Sequence, residues 1–162
     1  MYKLLVTSAA EHDGKSTICK RLARERTGIG EKVLLMDLDF MESARIGLGN
    51  GVTEYIYSHG SIGADIIEED CYNVIIPGRI KGRLSNNPRD RMFFEKFLKE
   101  FDEKYNTAII DTPPLLYVSD ALFYCQYCDE IIVVNSGKSN TELAIDRLKK
   151  AGFQARIVDN FF

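Results

Sequence analysis

The chain has 162 residues, 45% of them hydrophobic, and a formal net charge of −3. That length suits one domain with a substantial buried core, and the slight negative charge supplies no overall basic field to attract nucleic acid. No apolar run approaches the roughly 20 residues needed to cross a bilayer. The N-terminus lacks the charged and apolar regions of a signal peptide, so a cytoplasmic, single-domain chain over residues 1–162 is expected.

The predicted elements alternate along the chain. A strand over 2–7 runs into the segment 9–17, and a helix over 15–27 ends at Gly28. A strand follows at 33–37, then short helices near 52–57 and 61–68, then a strand at 72–76. A long connection opens a helix at 89–104, in which Phe93, Phe97 and Phe101 recur every fourth residue beside Phe94 and Leu98. Next come a strand at 106–111, a short helix at 119–127, a strand at 130–135, a helix at 140–151 ending before Gly152, and a strand at 155–159. A βαβ unit followed by further βα units predicts an α/β fold, a parallel sheet flanked by helices on both faces. No internal repeat or domain linker interrupts it.

The segment Ala9-Ala10-Glu11-His12-Asp13-Gly14-Lys15-Ser16-Thr17 lies between the first strand and the first helix. That is the setting of a P-loop, whose backbone N–H groups, with the positive end of the helix, hold phosphate oxygens. Lys15 would place a point charge near the β- and γ-phosphates, and Ser16 would offer its hydroxyl to Mg²⁺. Two other apolar strands end in acids: Val33-Leu34-Leu35-Met36-Asp37-Leu38-Asp39, and Thr107-Ala108-Ile109-Ile110-Asp111-Thr112-Pro113-Pro114. Ligands of open parallel sheets sit beyond the carboxyl ends of the strands, so Asp37, Asp39 and Asp111 would emerge beside the loop. Carboxylates next to a triphosphate call for a metal between them. The bland alternative for each is a helix cap or a turn. The reading is a Rossmann-like P-loop nucleotide-binding domain spanning residues 1–162, with Mg²⁺ and ATP or ADP as cofactors.

Gly14-Lys15-Ser16-Thr17, Leu35-Met36-Asp37-Leu38-Asp39 and Ile109-Ile110-Asp111-Thr112-Pro113-Pro114 resemble the Walker A, A′ and B motifs of bacterial tyrosine kinases, the P-loop kinases of capsule and exopolysaccharide export. Ser119-Asp120-Ala121-Leu122 after the double proline, and Asn87-Pro88, resemble the same family, and the similarity runs from Tyr2 to about Asn160. The resemblance implies a catalytic set of Lys15, Asp37 and Asp39. It implies nucleotide binding by Asp13, Gly14, Lys15, Ser16, Thr17 and Asn160, the last reading adenine, and Mg²⁺ binding by Ser16, Asp37 and Asp111. It further implies a membrane-anchored polysaccharide-export activator protein as partner, homo-oligomers, and a position at the inner face of the cell membrane through that partner. No nucleic acid is expected. A wider relation to Par- and Min-type ATPases keeps open a nucleotide-dependent switch, and a scaffold without turnover is a third reading.

The chain departs from the family pattern in five respects. Ala9 opens the loop where glycine is usual, and Glu11-His12 replaces Pro-Gly. His12 would then take a positive φ at a modest cost, and Glu11 and Asp13 would set two negative charges against phosphate. Met41 stands where the family has arginine. Neither an N-terminal Glu-Arg-Arg motif nor a C-terminal tyrosine cluster is evident, so tail autophosphorylation is not expected. Tyr55, Tyr57, Tyr124 and Tyr127 are read as packing or surface residues, with a role as acceptors the alternative. Cys125-Gln126-Tyr127-Cys128 has half-zinc-site spacing but lacks a second ligand pair, which favours two packed thiols. The connection 77–91 holds five basic residues and one acid; it is a solvated loop or a surface for an anionic partner.

Overall fold

The computed structural model describes residues 1–41, 43–79 and 87–161. Seven strands form one sheet in the order β3-β4-β2-β5-β1-β6-β7. They are β1 (Tyr2–Ser8), β2 (Val33–Asp37), β3 (Ile66–Glu69), β4 (Tyr72–Ile75), β5 (Thr107–Asp111), β6 (Glu130–Asn135) and β7 (Arg156–Asp159). The helices are α1 (Lys15–Gly28), α2 (Val52–Tyr57), α3 (Pro88–Lys99), α4 (Asp120–Cys125) and α5 (Thr141–Lys150). Every pairing is parallel except that of β3 with β4.

The strands bury both faces, which is why they read as continuous apolar runs. Alternate residues of β2 divide between two cores. Val33 and Leu35 pack with Ile18, Cys19 and Ala23 of α1. Leu34 and Met36 face the opposite layer, with Phe94, Phe97 and Tyr124. Helices therefore cover both faces, as the alternating pattern predicts.

Two elements differ from expectation. The helix predicted near 61–68 is absent, and Ile66–Glu69 instead forms the antiparallel edge strand β3. A tight hairpin joins it to β4, with Asp70 at φ 52°, so backbone pairing outcompetes a helix that has no apolar face to bury. The helix predicted over 89–104 runs from Pro88 to Lys99, started by the Asn87 side chain, which accepts a hydrogen bond from the Asp90 N–H. Beyond Lys99 the backbone continues in turns, Phe101 N–H to Leu98 C=O and Lys104 N–H to Phe101 C=O. The turns still bury Phe101. Phe93 stays partly exposed and stacks on His59. Of the basic connection, residues 80–86 lie outside the described residues.

Candidate active site

The interior strand β1, between β5 and β6, ends at Ser8 and the chain turns through residues 9–14 into α1. Asp13 fastens the turn. Its carboxylate accepts hydrogen bonds from the Ala10 N–H (3.0 Å), the Ser139 hydroxyl (2.6 Å) and the Ser136 hydroxyl. Burial alone would raise its pKa, but these donors outweigh burial and hold it below the ordinary carboxylate value. The Asp13 carboxylate, ionised as predicted, is thus engaged by the loop's own scaffold. Glu11 remains exposed in the neighbouring cleft. His12 does take a positive φ, 61°, as its replacement of glycine requires.

Gly14 sits at the head of α1 in the left-handed region, φ 88°, and no side chain caps this helix. By contrast, α3 and α5 are capped by Asn87 and Asn140. The first N–H groups of α1 and its positive dipole end are therefore presented without a side-chain competitor. They open onto a cleft of about 570 Å³ lined by Lys15, Ser16, Asp37, Asp39 and Arg45 among others. Lys15 is 8% exposed and, among the described residues, forms no salt bridge.

The two acidic strand ends are neighbours. Asp37 and Asp111 are register partners on β2 and β5, and Asp111 also pairs with Val6 of β1. The Ser16 hydroxyl donates to Asp111 Oδ2 at 2.7 Å, while Asp111 Oδ1 is buried without a hydrogen-bond partner. Burial, reinforced by the charge of Asp37, raises the Asp111 pKa to about 7. An orphaned carboxylate oxygen joined to a P-loop hydroxyl fits the hard oxygen donors that Mg²⁺ prefers. Among the described residues no group of three or more acidic, histidine or cysteine side chains is arranged to hold a metal ion by itself. Cys19, one turn beyond Lys15, is buried here, and that burial pushes its thiol well above its ordinary pKa.

Asp37 is gripped from three sides. Its Oδ1 accepts the Asp39 N–H at 3.2 Å, and its Oδ2 accepts the Ser43 hydroxyl and Arg45 Nη1 at 3.2 Å. Burial still leaves its pKa raised against these donors. Asp39 is buried, and its side chain accepts the Met41 N–H at 3.2 Å. Arg45, which pairs with Asp37, was missed in the sequence reading. Ser43 was missed with it. Both lie in an irregular segment after β2, where no periodicity marks a residue as facing the site.

Asn160 follows β7, anchored by its N–H to Asn135 C=O at 2.8 Å. Its side-chain amide donates to the Asp13 carbonyl at 3.2 Å, and its Oδ1 is buried without a partner. It lines a second cleft, of about 400 Å³, together with His12, Gly14, Thr17, Ser136 and Lys138. The P-loop therefore divides two cavities, one with the carboxylates and one with Asn160. Cys125 and Cys128 are packed thiols at the end of α4, both raised by burial, Cys125 to about 12.

The sheet, the glycine-headed helix and the two strand-end carboxylates define a domain of the P-loop class. Within that class the chain is similar to bacterial tyrosine-protein kinases. It is 28% identical over 163 residues to the tyrosine-protein kinase CpsD of Streptococcus agalactiae serotype III, covering 92% of this chain and 69% of that one. The kinase domain of Escherichia coli tyrosine kinase ETK shares the fold with a TM-score of 0.81 at 22% identity, covering 99% and 67% of the two chains. A chain of the MinC:MinD cell division protein complex of Aquifex aeolicus shares it with a TM-score of 0.75 at 15% identity, covering 99% and 69%. No protein-family profile matches the chain.

Proposed function

We propose that this domain binds Mg·ATP and transfers the γ-phosphoryl group to a tyrosine hydroxyl. The observation that carries the reading is the Ser16–Asp111 pair at the uncapped head of α1, with one Asp111 oxygen left unpartnered. Ser16 and Asp111 would hold Mg²⁺, directly or through water, with Asp37 and Asp39 beside them. When bound, the ion neutralises charge on the β- and γ-phosphate oxygens. The N–H groups of residues 14–17 cradle the phosphates, and Lys15 stabilises negative charge on the transferred group. Asp37 orients the acceptor hydroxyl and takes its proton as the new O–P bond forms. The bond to the bridging oxygen breaks, and ADP leaves with that electron pair. Most of the rate enhancement in such a site is positioning and electrostatics. Asn160, in the second cleft, reads the adenine edge through an amide that both donates and accepts.

The similarity to a protein named a tyrosine-protein kinase supports the reaction, and the motif resemblance to the kinases of capsule and exopolysaccharide export implies a place in that synthesis, with a membrane-anchored activator protein and further copies of the chain as partners. Among the described residues no helix is long and apolar enough to cross a membrane. The reading puts the domain in the cytoplasm, at the membrane's inner face through that partner. One observation favours a scaffold without turnover: His12 occupies the strained loop position, with Glu11 beside it. The deciding experiment incubates the protein with γ-labelled Mg·ATP, a tyrosine-bearing peptide and the candidate activator. Phosphotyrosine formation supports the kinase. Free phosphate alone supports an ATPase switch, and binding with neither product supports the scaffold.

A further inference from the structure

Arg45 meets Asp37 twice. Its guanidinium Nη1 donates directly to Asp37 Oδ2 at 3.2 Å. Its backbone N–H donates to Ser43 Oγ at 3.0 Å, and that hydroxyl in turn donates to the same Asp37 oxygen. The rest of the fork is fixed on Glu69 of the edge strand: Nη2 reaches both carboxylate oxygens at 2.9 Å and Nε reaches Oε1 at 3.1 Å. The Arg45 side chain is 16% exposed and that of Asp37 4%. Such a bidentate grip in a largely buried place fixes orientation more firmly than an exposed ion pair would.

The same geometry makes Arg45 a poor phosphate ligand. Its charge stands between two carboxylates, and Nε, Nη1 and Nη2 all already donate to them. An anion at that spot would face more negative than positive charge. The chemistry of the arrangement is that of a brace, with Glu69 as its anchor and Asp37 as the group it aims.

We propose that Arg45, anchored by Glu69, is a positioning residue that holds Asp37 toward the metal side of the phosphate cleft. This rests on the nucleotide reading given above. Without the brace, Asp37 loses a charged donor and the hydroxyl that Arg45 orients. Its carboxylate then no longer waits in one place for the hydrated ion. The loss should appear only in the metal-dependent part of nucleotide binding.

The test is calorimetric titration of the full chain with ADP, once in Mg²⁺ and once in EDTA, for the parent, Arg45→Gln, Arg45→Lys, Glu69→Gln and the Arg45→Gln/Glu69→Gln double variant, each checked for an intact thermal transition. Arg45→Gln should weaken binding about tenfold in Mg²⁺, the worth of one hydrogen bond to a charged group, and leave binding in EDTA within about twofold. Arg45→Lys should recover part of the loss, and Glu69→Gln should show a smaller loss of the same kind. The double variant should be no weaker than Arg45→Gln, because the anchor acts only through the arginine. Equal losses with and without Mg²⁺ would make Arg45 a direct phosphate ligand and overturn the proposal. So would parental affinity in Arg45→Gln, or additive losses in the double variant. Lys15→Met separates the two levels, since it should lose ADP under both conditions. A parent that binds no ADP under either condition overturns the nucleotide reading and this inference together.

Discussion

A β-carbon placed on Gly14 would lie 1.9 Å from Nδ2 of Asn160. The first turn of the phosphate loop and the end of the last strand are therefore in direct contact, with Asn160 bridging to the carbonyl of Asp13. Gly14→Ala must displace Asn160 and place a side chain at φ 88°. The backbone strain alone costs on the order of 1–3 kcal/mol. The expected outcome is a lower melting temperature together with loss of measurable Mg·ADP binding; a variant that binds as the parent does would show that the loop does not receive phosphate in this form.

Asn160→Ala tests the second cleft. The amide oxygen is buried and unpartnered, so an exocyclic amine of adenine is its natural complement. The substitution should weaken ATP and ADP by on the order of 1–3 kcal/mol and narrow the preference for ATP over GTP. Competition binding with the two triphosphates measures both effects. Equal ATP and GTP affinities in the parent would remove the reason for this role.

His12 sits at φ 61° where glycine would be at ease. The double change His12→Gly with Glu11→Pro should relieve that strain and remove one negative charge from the mouth of the cleft. A gain in Mg·ATP affinity of on the order of 1–3 kcal/mol is expected for a charge several ångströms from phosphate at an effective dielectric near 20. Asp13 is left untouched, because its hydroxyl and N–H donors already hold its charge. Unchanged or weaker binding would mean that the native loop has its own compensation.

Asp111 should make the free protein sensitive to pH. Its folded pKa, about 7, lies above the value of an unfolded carboxyl, because it is buried and faces Asp37 and Asp39, with only Ser16 and Lys15 favouring its charge. Between the two values the folded chain keeps a proton that the unfolded chain has released. Stability contributed by that proton is complete below about pH 4, falls as pH rises, and is gone above the folded pKa. Melting temperature measured across this window should decline in the parent, by an amount corresponding to a few kcal/mol at most. Asp111→Asn should flatten the profile, raise stability near pH 7 and weaken Mg·ADP. An identical decline in Asp111→Asn would assign the titration elsewhere, first to Asp37, whose pKa burial also raises.

How far the site could be read from the chain depended on where each residue sits. Val33–Asp37 and Thr107–Asp111 are uniformly buried strands, so their apolar runs and terminal acids marked both elements and both carboxylates. The loop before α1 was legible because glycine, lysine and a hydroxyl in that order have few other uses. Ile66–Glu69 was not, because two apolar residues followed by two acids show neither period. Arg45 was hidden for a different reason. Its meaning depends on Glu69, 24 positions away, and on a turn that no local pattern announces. Asp13 was placed at the loop correctly, but its partners Ser136 and Ser139 come from the far end of the chain.

The account stands on Lys15 and the head of α1 forming a phosphate site. Calorimetric titration of Mg·ADP into the parent and into Lys15→Met tests that claim most directly. The account predicts saturable binding to the parent and loss of it in a Lys15→Met variant that still melts cooperatively. Equal affinity in the two proteins would contradict it.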